Sequence, residues 1–386
     1  MKAGVDRWLL LVVIGLTLWG LLMVYSSGSA VGVLVEGKGS VYYLERQIGK
    51  AFGGLAVMLI LSFMPPRLLK GRVAYAGWGA VLGVLAFLVA ARFLAGEGNG
   101  PVSRWLPILG GRIQPAEFAR VALVVALAAC LGQRLLRPGW TAWALPVALI
   151  VPAAALVALQ PSLSMAAILG VSGFALLFVS GIPWGWIAPP AALLAAVGFF
   201  FRADYQGARI HNYVGALRGI VTGKVLAAPN EQVEQALIAF GSGGLLGQGV
   251  GRGLQKFKFL SQPHTDFILA IHGEETGLLG VVILLGLEAF VVWRIFRIGA
   301  RACDPYARLL CFGVGIQIAL LVLIHTAVNL GVAPTTGVPL PFISFGGSAL
   351  VTNLIGIGLV LGVSRHDQVT WTGGPLDAGP ARWRAA

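Results

Sequence analysis

The stretch FILAIHGEETGLLGVVILLGLEAFVVWRIF, residues 267–296, decides the fold. It is predominantly apolar and longer than the about 17–25 residues that an α-helix needs to cross the hydrocarbon core of a bilayer. Working outward, runs of the same kind recur at 8–26, 48–64, 73–94, 117–133, 142–159, 163–180 and 184–201 before it, and at 307–332 and 343–364 after it. One such run could be a buried core helix, but ten would overfill a water-soluble core. Composition agrees. Of 386 residues, 57% are hydrophobic and 11% charged, against about 25% charged in a soluble domain, and the mean hydropathy is +0.84. The expectation is an all-α integral membrane protein of about ten transmembrane helices, with one polytopic domain over 1–366 and a flexible cytoplasmic tail over 367–386.

The net charge of +13 raises the question of nucleic acid. The basic residues, however, sit in short loops between apolar runs, as topology determinants do, and form no stripe with interleaved aromatics. No nucleic-acid partner is expected. Cys130, Cys303 and Cys311 lack metal spacing and imply no disulfide framework. Run 8–26 exceeds a usual signal h-region and is read as a retained first span. Placing the N-terminus in the cytoplasm puts Arg67, Lys70, Arg72, Arg134, Arg137, Arg294, Arg297, Arg301, Arg308 and Arg365 on the same side, which satisfies the positive-inside rule with both termini cytoplasmic. A large extracytoplasmic loop, 202–265, then separates the seventh and eighth spans. A connection of that length is functional or disordered; its apolar content argues for a folded one, with a short helix over 232–240.

Four polar segments fall on the side this topology calls outer. They are Arg104-Trp105 through Gln114-Pro115-Ala116-Glu117-Phe118-Ala119-Arg120; Gln160-Pro161-Ser162; His264-Thr265-Asp266-Phe267 with Gly273-Glu274-Glu275-Thr276-Gly277; and the run 334–348, PTTGVPLPFISFGGS. Random scatter would put such segments on both sides. Their agreement points to one outward site.

Asp266, at the mouth of a span, is suited to take a proton as a partly desolvated carboxylate. Equally, Asp is a favoured helix N-cap. Glu117, in the first turn of a span, is favoured there by the helix dipole, or it orients a sugar, pairs with an arginine or holds a cation. Arg104 and Arg120 offer bidentate donors to a pyrophosphate, or they snorkel to the interface. Glu274 and Glu275 lie about 12–14 Å along the helix from Asp266, where a carboxylate needs a partner or a cavity. The glycines from Gly241 to Gly253 lack a P-loop Lys-Ser, which argues against a nucleotide. Lys256 and Lys258 beside them are cations that attract phosphate. The backbone around Ser344 and Ser348, rich in Pro and Gly, lines a cavity or forms a plain turn.

These runs resemble the signature segments of the SEDS family (shape, elongation, division and sporulation proteins), which includes FtsW and RodA. Gln255-Lys256, Pro334-Thr335 and Pro341-Phe342-Ile343-Ser344 look more like the FtsW branch. The resemblance implies a peptidoglycan glycosyltransferase of the bacterial inner membrane that polymerises lipid II at the outer face, in cell division. Asp266 in HTDF would be its general base, and undecaprenyl pyrophosphate the leaving group. Glu117, Arg104, Arg120, His264, Lys256, Lys258, Glu274, Glu275, Ser344 and Ser348 would contact substrate. A divalent cation, Mg or Mn, would sit at Asp266 or Glu117. The partner implied is a class B penicillin-binding protein, with other divisome or elongasome membrane proteins. Ser162 stands where the family usually has Asp, Leu260-Ser261-Gln262-Pro263 where it has Leu-Pro-Glu, and Thr276 where it has Leu. Ser162 puts metal dependence in doubt. The competing readings are a lipid II flippase or transporter, since charged residues at depth suit transport, and a noncatalytic scaffold.

Overall fold

A computed structural model describes residues 4–34, 36–94, 105–108, 111–134, 141–160, 162–200, 231–257, 260 and 262–366. Ten of its helices fall on the ten apolar runs: α1 Arg7–Leu34, α2 Tyr42–Phe63, α3 Arg72–Leu94, α4 Pro115–Arg134, α5 Thr141–Leu159, α6 Leu163–Val179, α7 Trp184–Phe200, α9 Ile268–Ala300, α10 Pro305–Asn329 and α11 Gly347–His366. The eleventh, α8, covers Glu231–Gly243 within the long connection. A hairpin of two three-residue strands, β1 Leu106–Ile108 and β2 Gly111–Ile113, leads into α4. Among the described residues, seven helices are long and apolar enough to cross a membrane, and three shorter apolar stretches lie in α5, α6 and α7. Helices are the expected solution, because in lipid each backbone polar group must be satisfied within the chain.

The distribution of side chains identifies the solvent. Phe52, Phe87 and Leu323 are each more than three-fifths exposed, whereas Glu117, Arg120, Gln317, Asn329, Glu274 and Glu275 are buried. Apolar groups face outward and polar groups inward, the arrangement lipid requires. The fold is that of an all-α multi-pass membrane protein. Small residues let its helices approach backbone to backbone. A Cβ on Gly358 of α11 would sit 2.8 Å from the carbonyl oxygen of Met58 in α2, and these two helices make the most extensive pair among the described residues.

One end of the bundle is closed by ion pairs. Arg294 Nε donates to Asp6 at 2.8 Å, Lys70 pairs with Asp304, and the Asp6 amide donates to Ser364 Oγ at 3.2 Å. These groups come from or adjoin the connections expected in the cytoplasm. The described residues of the four polar segments lie toward the opposite end.

The glycine-rich run after α8 has a structural use. Helix α9 is broken at Gly277, whose φ is 70° and ψ −172°. Residues 244–249 fill the break: Gln248 and Gly249 amides donate to the carbonyls of Glu274 and Glu275 at 3.0 and 2.9 Å, and the Leu278 and Leu279 amides donate to Gly244 and Leu245 at 2.9 and 3.2 Å. The orphaned groups of a broken helix are thereby paired at a depth where water is scarce. These glycines hold backbone and do not cradle a phosphate.

Candidate functional site

Asp266 is carried by a turn in which the Thr265 and Asp266 amides both donate to the Gln262 carbonyl at 3.2 Å, with Gln262 at φ 59°. The cap position of α9 belongs to Phe267 and has no side-chain cap hydrogen bond, so Asp266 is not held there as a helix cap. Asn329, fully buried at the end of α10, fastens the turn: its Nδ2 donates to the Asp266 carbonyl at 3.0 Å and its Oδ1 accepts from the Ala270 amide at 3.2 Å. A second clamp comes from the run 334–348. Ser344 Oγ donates to the Thr265 carbonyl at 2.8 Å and accepts from the Leu340 amide, and the Phe345 amide donates to the His264 carbonyl at 2.9 Å. The clamp is strained, since Phe342 is buried at φ 61°, a conformation that costs a bulky residue about 1–2 kcal/mol.

The four separated segments meet in one cavity of about 380 Å³. Trp105, Gln114 and Glu117 come from the hairpin and α4, and Ser162 from the α5–α6 turn. Thr265 and Asp266 precede α9, and Thr336, Gly337, Gly346, Gly347 and Ser348 precede or begin α11. Gly337 lies beside the carboxylate, where a Cβ would be in ordinary contact with Asp266 Oδ2 at 3.7 Å, and its φ of 68° is what calls for glycine. Ser348 Oγ accepts from the Gln114 amide at 3.0 Å, tying two walls together. The Thr336 hydroxyl is buried and makes no hydrogen bond among the described residues.

Behind the lining, Arg120 is 1% exposed. Its Nε and Nη2 both donate to Glu117 Oε2, at 3.0 and 2.5 Å, Nη2 also reaches Asn353 at 3.3 Å, and Gln317 holds its carbonyl. The guanidinium is thus spent on orienting Glu117 and does not face the cavity as a pyrophosphate ligand. Lys256, Glu274 and Glu275 also lie elsewhere. Lys256 Nζ is 2.8 Å from Glu275 Oε1, which accepts from Ser26 Oγ at 2.5 Å, and Glu274 accepts from the Leu254 and Gln255 amides. Burial forces this pairing, and the cluster braces the loop against α9 at a distance from the cavity lining. His264 packs against Tyr43, ring centroids 4.0 Å apart, and edge-on to Phe345. Burial pushes its imidazole down to about 4, so it is neutral and offers no charge to a phosphate. Ser344 acts through the main chain of Thr265 and is not among the lining groups. Arg104 and Lys258 lie outside the described residues.

Three contributors from α2 escaped the sequence reading. Tyr43 packs on His264, Gln47 Nε2 donates to the Ser344 carbonyl at 3.3 Å, and the stem of Lys50 passes over Gly347 with its ammonium 5.4 Å from the Phe345 ring. Their spacing of four and three residues puts them on one helix face, and that i, i+4, i+7 pattern across the start of the second apolar run was the available signal.

Asp266 and Glu117 both border the cavity, but among the described residues no group of three or more His, Cys, Asp or Glu gathers as a metal cage. A hard cation such as Mg²⁺ is commonly held by one or two carboxylates plus water and substrate phosphate, and this donor set fits that pattern, with the Ser162 hydroxyl nearby.

A family model described as cell cycle protein, covering FtsW, RodA and SpoVE, matches residues 6–369. The chain belongs to this FtsW/RodA/SpoVE family. Among family members, a probable peptidoglycan glycosyltransferase FtsW of Thiomicrospira cyclica is 35% identical, over 93% of this chain and 91% of its own length. The peptidoglycan glycosyltransferase MrdB of Escherichia coli is 32% identical, over 95% of both chains. The crystal structure of the rod shape determining protein RodA of Thermus thermophilus aligns with TM-score 0.67 at 29% identity, covering 94% of this chain and 97% of that one. A chain from a peptidoglycan synthase complex, described as coordinating polymerization and crosslinking, aligns with TM-score 0.70 at 30% identity, covering 94% and 98%. The FtsW/RodA/SpoVE fold thus extends over nearly the whole chain.

Proposed function

We propose that this protein is a peptidoglycan glycosyltransferase that polymerises lipid II at the outer face of the bacterial cytoplasmic membrane, with Asp266 as general base. The observation that carries the reading is the meeting of four distant polar segments in one cavity bordered by Asp266 and Glu117, in a chain whose curated relatives are named for that activity. Asp266 accepts the proton of the acceptor's sugar 4-hydroxyl as its oxygen attacks the anomeric carbon of the donor. A new C–O bond forms with inversion, the bond from that carbon to the pyrophosphate oxygen breaks, and undecaprenyl pyrophosphate leaves with the electron pair. Glu117, oriented by Arg120, and the Thr336 and Ser348 hydroxyls supply polar contacts to sugar. A divalent cation bound at Asp266 or Glu117 would neutralise charge on the leaving pyrophosphate; Ser162 offers such an ion a hydroxyl and no carboxylate.

The cavity lies at the end of the bundle opposite the arginine-rich connections, which supports an outward site with both termini cytoplasmic. Likeness to a chain of a peptidoglycan synthase complex supports a class B penicillin-binding protein as partner, and the runs resembling FtsW support a role in division. The test is gel analysis of products from purified protein, with its partner, given lipid II. Glycan polymer from the wild type and none from folded Asp266→Asn is expected. Polymer of normal yield from Asp266→Asn would overturn the assignment, and lipid movement without polymer would replace it with a flippase. Depletion that yields filaments would confirm division, whereas rounded cells that still septate would assign elongation.

A further inference from the structure

A second cavity, of about 280 Å³, lies between α6 and α7 with Ala158 of α5 at its back. Among the described residues, its walls, which include Leu163, Gly170, Val171, Phe174 and Leu194, carry no polar side chain. It lies on another face of the helix that borders the polar site. The first turns of α6 present Ser162 and Met165 to the polar cavity, and Leu163, Ala166 and Ala167 to the apolar one. Along α6 the groove runs from Leu163 to Phe174, about 16 Å at about 1.5 Å per residue. That is about half of a hydrocarbon core of about 30 Å, or one leaflet.

We propose that this groove seats the polyprenyl chain of the lipid-linked donor while its pyrophosphate and sugars occupy the polar cavity. The proposal rests on the glycosyltransferase reading above and names where that substrate's tail goes. The substrate's chemistry matches the juxtaposition, since a pyrophosphate joins a highly polar sugar to a branched hydrocarbon, and α6 divides a polar cavity from an apolar groove at that junction. A prenyl chain leaving lipid for this groove gains no hydrophobic free energy, because lipid tails are as apolar as the groove walls. What the groove supplies is orientation: it fixes the direction in which the pyrophosphate enters the polar cavity, and so the alignment of the anomeric carbon.

Ala167 and Ala195 line the groove from exposed positions, so Ala167→Phe with Ala195→Phe fills it without crowding the core. Purified protein with its partner would be given the same disaccharide pyrophosphate on a geranyl and on an undecaprenyl chain. The wild type is expected to favour the undecaprenyl donor. In the double variant, kcat/KM for that donor should fall about tenfold and that for the geranyl donor should stay within about twofold. A variant that keeps the wild-type chain-length preference, or loses both donors equally, would overturn the proposal. If the wild type makes no glycan from either donor, the glycosyltransferase reading fails, and binding alone then decides the groove. Undecaprenyl pyrophosphate carrying a diazirine on its proximal isoprene units should label peptides of α6 and α7, with labelling competed by unmodified undecaprenyl pyrophosphate and lost in the double variant. Labelling confined to other helices, or no saturable labelling, would sink it. So would labelling lost when the partner binds, since a partner helix would then be the occupant.

Discussion

Arg120→Met separates two roles for the cation beside the cavity. Arg120 and Glu117 side chains are 1% and 4% exposed, and the guanidinium makes two of its hydrogen bonds to one carboxylate oxygen. Removing one member of such a buried pair leaves an uncompensated charge and costs about 3–5 kcal/mol. Removing both, as Glu117→Gln with Arg120→Met, leaves no stranded charge and should restore at least half of that loss. At about 2.1 cal/mol/K per residue, a chain of 386 residues loses roughly 0.8 kcal/mol per degree at its midpoint. Arg120→Met should therefore lower Tm by roughly 4–6 °C in thermal unfolding of the detergent-purified protein, with the double variant closer to wild type. Activity should fall with Arg120→Met because Glu117 is released, and Arg120→Lys should retain part of it. The reasoning is refuted if Arg120→Met keeps the wild-type Tm while KM for the lipid-linked donor rises. That outcome would mean the guanidinium touches substrate directly.

Three further outcomes are expected. Gly277→Ala places an L residue at φ 70°, ψ −172°, with its Cβ 2.5 Å from the Leu245 carbonyl oxygen; strain and lost hydrogen bonds together should cost about 3 kcal/mol or more, while Gly241→Ala, with open space around it, should be near neutral in the same unfolding assay. Gly20→Ala pushes a Cβ against the Phe342 carbonyl and to 2.9 Å from Ile343 Cα; because that segment clamps Thr265, glycan synthesis should drop by about tenfold or more, whereas Gly15→Ala should leave it unchanged. His264 stays neutral in the folded protein down to about pH 4, but its unfolded imidazole takes a proton near pH 6.5. The unfolded state then binds more protons, so this residue's contribution is present above about pH 6.5 and is lost as pH falls toward 4, by on the order of 3 kcal/mol. His264→Phe should flatten the dependence of Tm over that range, and an unchanged slope would contradict it.

The helices were legible because each is a long apolar run, and the runs err where function intrudes. Helix α2 begins at Tyr42 rather than at 48, since Glu45, Arg46 and Gln47 interrupt the hydropathy but sit at the end that meets the site. The last run was read from 343, yet α11 starts at Gly347, because the Phe342 backbone turns against helical geometry. Asp266, Glu117, Ser162 and Ser348 could be picked out as polar groups at span ends, and all four line the cavity. The pairing of Glu117 with an arginine was one of the readings open in the sequence, and Arg120 is that arginine, whereas the pairing of Lys256 with Glu275 was not legible as such. Charge and position in sequence attract attention to these residues, but only the packing tells whether a charge faces substrate or another side chain.

An unbroken helix of the length of α9, 33 residues, would act as a stiff rod, so that tilting one end would swing the other. The break at Gly277 divides it into a short arm that begins beside Asp266 and a long arm that continues to Ala300. Residues 244–249 splint the joint through backbone bonds to both arms. The short arm that leads to the carboxylate is therefore braced at both ends, by Asn329 and Ser344 at the Asp266 turn and by residues 244–249 at the break.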